Sequence, residues 1–266
     1  MVRPRATGVA RLRAAVAAGV VAVLVVACGP GSSAPPTIGL GSLPVESLPD
    51  VSFGPDDTLG PGDTASVGVP GFDGWQTINA QDAQIGPTDS GLAMTLTHKA
   101  LWFQASRGVL FYTLVDGDFR VTSTVETSKT SDSSQDPGGD GTVQLAGLMA
   151  RAETPQENYV FVVVGSDANG PSVETKTTKD GSSTFAGPAW PTGDAVLKLC
   201  RVGTTFTLWK QASDGSGDFA LAATYKRPDL SGALQVGANI YSDSAPDITA
   251  VFPDLTIESL DPGEAC

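Results

Sequence analysis

Hydrophobic and polar positions along this chain fall into three textures. The first is an unbroken apolar run from Ala14 to Ala27. The second, from Gly29 to about Pro70, is dominated by Gly, Pro, Ser and Asp; isolated apolar residues such as Leu40, Leu43, Leu48 and Phe53 show no sustained period. The third begins at Phe72, where short runs of β-type residues are separated by turn signals. Leu92 to His98 and Phe119 to Glu126 alternate apolar and polar positions, the pattern of a strand with one buried face. Similar runs follow at 143–151, 159–164, 172–178, 196–202, 205–210, 219–225, 234–241 and 249–258. Gly203-Thr204 reads as a tight hairpin turn, and Asp214 to Gly217 as another. No window after Cys28 has the period of an amphipathic helix. About ten to twelve short strands without helices predict an all-β domain over 71–266, a two-sheet antiparallel sandwich or a barrel.

The apolar run at the N-terminus is preceded by Arg3, Arg5, Arg11 and Arg13 with no acidic residue among them. A basic segment followed by an apolar one shorter than the roughly 20 residues of a membrane span is the layout of a secretory leader. The run ends in Val25-Val26-Ala27-Cys28-Gly29, which resembles the lipobox of bacterial prolipoproteins. That resemblance implies a leader over 1–27, cleavage before Cys28, and lipid on the Cys28 thiol. The alternatives are an ordinary secretory leader with a chance cysteine, or an uncleaved anchor. Two or three acyl chains hold a protein to a bilayer where one does not, because each buried CH₂ contributes about 0.8 kcal/mol. The expected location is therefore the extracytoplasmic face of the cell membrane. Residues 28–70 would form a disordered tether, since such a composition buries too little surface to offset chain entropy.

Charge narrows the partners. The chain carries 16 basic and 29 acidic residues, a net charge of −13. Loss of the four leader arginines leaves 12 basic residues and a balance of −17. Such a surface repels phosphate backbones and anionic headgroups, which excludes nucleic acid as an expected partner. Apart from Cys28, the cysteines are Cys200 and Cys266, an even pair that in an exported chain reads as a disulfide. The alternative is a buried free thiol at Cys200 and a frayed terminal one.

The order of several runs carries a family resemblance. Trp102-Phe103 precedes Val109 to Tyr112; Gly117-Asp118-Phe119 leads a long strand; Ala146 to Arg151 and Asn158 to Phe161 follow. Lys198 to Gly203 opens a hairpin to Phe206 to Trp209, and Phe252 to Ile257 closes the domain. From about Phe72 to Glu258 this is similar to the concanavalin A-like lectin/glucanase jelly roll, in its uncharacterised bacterial branch. The resemblance implies two antiparallel sheets, one concave, and a carbohydrate as ligand. Alternation places Phe119, Val121, Val125, Leu234, Val236, Ala238 and Ile240 on the core side, and Gly147 is expected to let a neighbouring strand approach closely.

The candidate chemistry is sparse. Glucanases of this fold carry two carboxylates in period on one strand, about 5–5.5 Å apart when retaining. Here Glu126, Glu174 and Glu258 each stand alone on a strand-like run, which argues against an enzyme of that kind but leaves a cross-strand pair open. His98 is the single histidine, so neither a multi-histidine metal site nor a well-supported Ser-His-Asp triad is expected. No cofactor is implied except calcium, for which Asp132, Asp136 and Asp140 offer hard oxygen ligands in a glycine-rich loop, though without the spacing of a standard calcium loop. Sugar faces stack on aromatic rings, making Trp102, Tyr159, Trp190, Trp209 and Tyr241 ligand-binding candidates; Trp209 points away from Phe206 and Leu208. Arg151 is a further candidate, with an ion pair to a neighbouring acid as its alternative.

The expected function is thus a membrane-anchored, non-catalytic, carbohydrate-binding sandwich. The alternatives are a divergent glycoside hydrolase and a cell-envelope protein-interaction module. What lines the concave sheet discriminates between them: an apolar face closed by a loop counts against a sugar there.

Overall fold

The computed structural model describes residues 64–266, apart from Val67, Ser90, Gly139 and Asp140. The leader, Cys28, the tether up to residue 63, and Asp140 of the expected calcium loop lie outside the described residues. In chain order the strands are β1 (Thr64–Ala65), β2 (Gln76–Ile78), β3 (Ala83–Thr88), β4 (Gly91–Leu96), β5 (Val109–Val115), β6 (Phe119–Ser128) and β7 (Gln144–Ala152). They continue as β8 (Asn158–Asp167), β9 (Gly170–Lys179), β10 (Ser182–Ala186), β11 (Ala195–Val202), β12 (Thr205–Gln211), β13 (Ala220–Lys226), β14 (Leu234–Ser242), β15 (Thr249–Phe252) and β16 (Thr256–Ser259). One short 3-10 turn, Ala80–Asp82, interrupts the β structure.

Two antiparallel sheets make a sandwich. The first has the order β1-β2-β5-β14-β7-β8-β9-β10, and the second β13-β12-β11-β6-β15-β4-β3, with β16 also paired to β6. The all-β expectation holds, and the period-2 logic behind it is visible in the core. Val109 and Phe111, Ala146 and Leu148, Val160 and Val162, and Val236 and Ala238 from the first sheet meet Leu92, Met94, Val121, Val125, Leu197, Leu199, Phe206 and Leu208 from the second. Fully burying each larger side chain contributes on the order of 1.5–3 kcal/mol.

Several boundaries differ from expectation for identifiable reasons. The 249–258 run divides because Pro253 and Asp254 interrupt it, so β15 pairs the end of β6 and β16 its beginning. The edge strand β10 carries a single large apolar residue, Phe185, too little to give a period. The sandwich also claims part of the segment read as tether: β1 pairs β2, and Val69 is buried. The Gly203-Thr204 turn is as expected, with Gly203 at φ 59° between paired Val202 and Thr205. Gly147 behaves as expected too, since a Cβ there would strike the Val162 carbonyl of the next strand.

Cys200 of β11 and Cys266 form a disulfide, with Cα atoms 6.0 Å apart and a sequence separation of 66. It fastens the C-terminal tail to the outer side of the second sheet, where Thr207 Oγ1 approaches Cys266 Sγ at 3.3 Å.

Candidate functional site

Side chains of the first sheet that point away from the second sheet should face solvent in a simple sandwich, yet they are buried. Leu110, Tyr112, Leu145, Met149, Tyr159, Phe161, Val163 and Tyr241 form a second apolar cluster, each no more than 3 % exposed. Their cover is the loop of residues 97–108 between β4 and β5, which lays Trp102 on this face in edge-to-face contact with Tyr159 at 5.5 Å. Tyr159 stacks on Phe161, and Phe161 packs against Tyr241, both with ring centroids 5.7 Å apart.

Polar latches hold the loop down. Ser242 N donates to the Ala100 carbonyl at 2.8 Å, and Gln104 N to Ser183 Oγ at 2.9 Å. Asn79 Nδ2 donates to the Arg107 and Gly108 carbonyls at 3.2 and 2.9 Å. Lys176 Nζ donates to the Trp102 carbonyl at 2.9 Å and pairs with Glu174 Oε1 at 2.9 Å, which also accepts from the Tyr241 hydroxyl. The ammonium lies 4.9 Å from the Phe161 centroid and 5.3 Å from that of Tyr241. Burial pulls the Lys176 pKa down, against the opposing pull of Glu174, and pushes Tyr241 well above the ordinary phenol range.

This placement decides the reading of four candidates. Trp102, Tyr159, Tyr241 and Arg151 are brought together at this sheet, but all four are buried, so their rings and guanidinium meet protein and offer no face to a ligand. The face is apolar and closed by a loop, the arrangement that counts against a sugar there. For Arg151 the ion-pair alternative is what is found: its Nε and Nη2 both donate to Glu157 at 2.8 Å. Trp190 and Trp209 lie elsewhere. Trp190 is half-buried against the inter-sheet core beneath Lys210, 4.6 Å away, and donates to the Asp194 carbonyl. Trp209 is half-buried on the outer side of the second sheet beside Lys198, as alternation implied.

The expected calcium loop does not assemble a ligand set among the described residues, where no group of three metal-binding side chains occurs. The Asp132 carboxylate folds back to accept from Ser134 and Gln135, which lowers its pKa, and Asp136 accepts from Gly193 N at 3.0 Å. Nor do the single glutamates converge: Glu126 is exposed, Glu174 is buried with Lys176, and Glu258 pairs with Arg120 at 2.8 Å.

An open cleft of about 1080 Å³ lies at the rim of the covering loop. Its walls come from the 3-10 turn (Asn79, Gln81, Asp82), the loop (Lys99, Leu101, Ser106, Arg107), the β7–β8 turn (Gln156, Glu157) and the β9–β10 turn (Asp180, Gly181). Burial raises the Asp82 pKa, partly offset by His98, which lies 3.8 Å away. On the same loop and the β10 hairpin sits an exposed aromatic pair, Phe103 and Phe185, edge to face at 6.3 Å and 37 % and 55 % exposed. Sequence reasoning missed Phe185, Lys99, Arg107 and Glu157. No local signal marked them, because they come together only through the β4–β5 loop lying over the sheet order β5-β14-β7-β8-β9-β10.

No protein-family model matches the chain, and no curated protein matches its sequence. Solved structures do resemble its fold. A functionally unknown protein from Saccharomyces cerevisiae superposes with a TM-score of 0.55 at 12 % identity, over 68 % of this chain and 97 % of that one. A xylan β-1,4-xylosidase from Bacillus halodurans C-125 gives 0.54 at 14 % identity, over 80 % of this chain and 41 % of that one. Bacteroides ovatus xyloglucan PUL GH43B gives 0.50 at 14 % identity, over 70 % of this chain and 36 % of its own. The chain thus spans about two fifths of the length of these last two proteins, and at such identities what is shared is the fold, a two-sheet β-sandwich.

Proposed function

We propose that this protein is a non-catalytic carbohydrate-binding module, held to the extracytoplasmic face of the cell membrane by lipid on Cys28. The observation that carries the binding reading is the rim cleft with its neighbouring Phe103–Phe185 pair. Sugar sites combine exposed ring faces with a small number of polar side chains that fix hydroxyl groups. Asn79, Gln81, Asp82, Gln156 and Asp180 supply such groups here, and the two phenyl rings supply the faces. The similarity to parts of a xylosidase and of a glycoside hydrolase supports the same reading without specifying a sugar. A catalytic role is disfavoured because Glu157, a carboxylate of the cleft, has both oxygens engaged by arginines. The exposed phenyl pair formed by Phe103 of the loop and Phe185 of edge strand β10 also suits a protein partner, which makes an envelope interaction module the second reading.

The full chain purified in detergent, applied to a glycan array and titrated calorimetrically with the best ligands, tests the binding claim. Binding that is lost in Phe185→Ala without a change in melting temperature is the expected result. Silence across the array sinks the carbohydrate reading and favours the protein partner, and sugar release from a bound polysaccharide sinks the non-catalytic claim. Incorporation of labelled palmitate by growing cells, abolished in Cys28→Ala, is expected for the anchor.

A further inference from the structure

Two cations, Lys99 and Arg107, line the cleft beside the carboxylates of Asp82, Glu157 and Asp180. Glu157 is buried, its side chain 2 % exposed, and takes hydrogen bonds from two arginines: Arg107 Nε at 2.5 Å, and Arg151 Nε and Nη2 at 2.8 Å each. Two guanidinium groups on one carboxylate leave one positive charge in surplus. Arg151 is buried and spends its remaining Nη1 on Gln235 Oε1 at 2.5 Å, so the surplus appears at Arg107. The Arg107 side chain is 27 % exposed and lines the cleft.

The position of Arg107 is fixed at both ends. Asn79 Nδ2 holds its carbonyl, and Glu157 holds its Nε. Its Nη1 and Nη2 have no protein partner among the described residues. That outer edge of a planar guanidinium presents two parallel N–H groups, the fork that takes a carboxylate bidentately. Immobilisation in advance lowers the ordering cost of binding. Lys99 lines the same cleft with no ion-pair partner among the described residues. Asp82 and Asp180 keep acceptor capacity for hydroxyl groups: Asp82 accepts from Gln81 and sits 3.8 Å from His98, and Asp180 accepts from Asn158.

A chain with 29 acidic and 16 basic residues does not gather unpaired cations in one cleft through average composition. We propose that the cleft recognises acidic glycans, with the Arg107 fork on the carboxylate of a uronate residue and Lys99 on the same or an adjacent carboxylate. Asp82, Asp180 and the amides then accept or donate to the hydroxyl groups. This assignment rests on the carbohydrate-binding reading and narrows it to a substrate class. Because the chain as a whole repels polyanions, binding of one would have to come from a local site.

The test titrates the full chain in detergent with polygalacturonate and with alginate, against neutral xylan and cellulose oligosaccharides. Lys99→Gln, an exposed change, and Arg107→Gln are compared with the native chain, with melting curves for all three. Binding of the uronate polymers and not of the neutral ones is expected, weakened about tenfold or more by Arg107→Gln and several-fold by Lys99→Gln, and weakened by added salt. If Arg107→Gln melts early, the Lys99→Gln comparison and the salt dependence decide. Neutral and acidic glycans bound equally, or uronate binding indifferent to Lys99 and to salt, overturns the acidic assignment and leaves carbohydrate binding standing. Binding to no glycan overturns both.

Discussion

The indole of Trp102 lies directly on Gly108: a Cβ at that glycine would come 2.5 Å from both Cδ1 and Nε1 of the ring. The covering loop can seat its tryptophan only because it re-enters β5 through a residue without a side chain. Gly108→Ala must therefore displace Trp102. Overpacking of this kind costs about 1–3 kcal/mol, and Trp102→Ala, which empties a fully buried site, about 3–5 kcal/mol. Urea denaturation measures both losses. Gly108→Ala should also shift the tryptophan emission to the red, as the ring leaves its apolar site.

The pair Lys176–Glu174 is expected to be costly to break and far less costly to remove. Lys176→Met leaves a buried carboxylate with the Tyr241 hydroxyl as its remaining donor and releases the Trp102 carbonyl. Loss of one partner of a buried pair costs about 3–5 kcal/mol, whereas replacement of both by groups of similar volume is often near neutral. The double variant Lys176→Met with Glu174→Gln should recover much of that loss in a denaturation series. Backbone amide exchange in residues 100–106 should accelerate in the single variant.

Alkali should act through the buried phenols, Tyr159 among them. Burial pushes its phenol up to about 12 from the ordinary 10, partly offset by the Thr178 and Ser183 hydroxyls. Below pH 10 the phenol is protonated in both folded and unfolded chains. Above it the unfolded chain releases the proton first, so stability falls as pH rises from 10 toward 12. Two pH units correspond to about 3 kcal/mol. Tyr159→Phe should lose correspondingly less stability than the native chain over that interval, measured as the difference between their urea midpoints at pH 9 and pH 11.5. Parallel curves would contradict the assignment.

Reduction should loosen the C-terminal tail more than the sandwich. A disulfide across 66 residues is worth about 4 kcal/mol in the loop-closure description, with measured values often lower. Cys266→Ser should lower the melting temperature and leave the near-ultraviolet circular dichroism of the Trp102 cluster intact, since that cluster lies on the first sheet and the disulfide on the second. Loss of both signals together would mean that the tail supports the whole fold.

Most of the scaffold was legible along the chain. Alternation over Phe119 to Val125 assigned the inward side chains and Gly203-Thr204 a hairpin, because each is a local property of the chain, while the even cysteine pair pointed to the disulfide with free thiols as its alternative. Strands β7 and β8 are buried on both faces, but a period reports only which side of a strand is apolar, never what lies above it. Tertiary structure alone decided that residues 97–108 are the cover, which turned Trp102, Tyr159 and Tyr241 from expected ligand contacts into packing. It alone brought Arg107 to Glu157 across 50 residues. That convergence depends on the order in which β5, β14, β7 and β8 lie side by side, and strand order is set by long-range packing that no local pattern encodes.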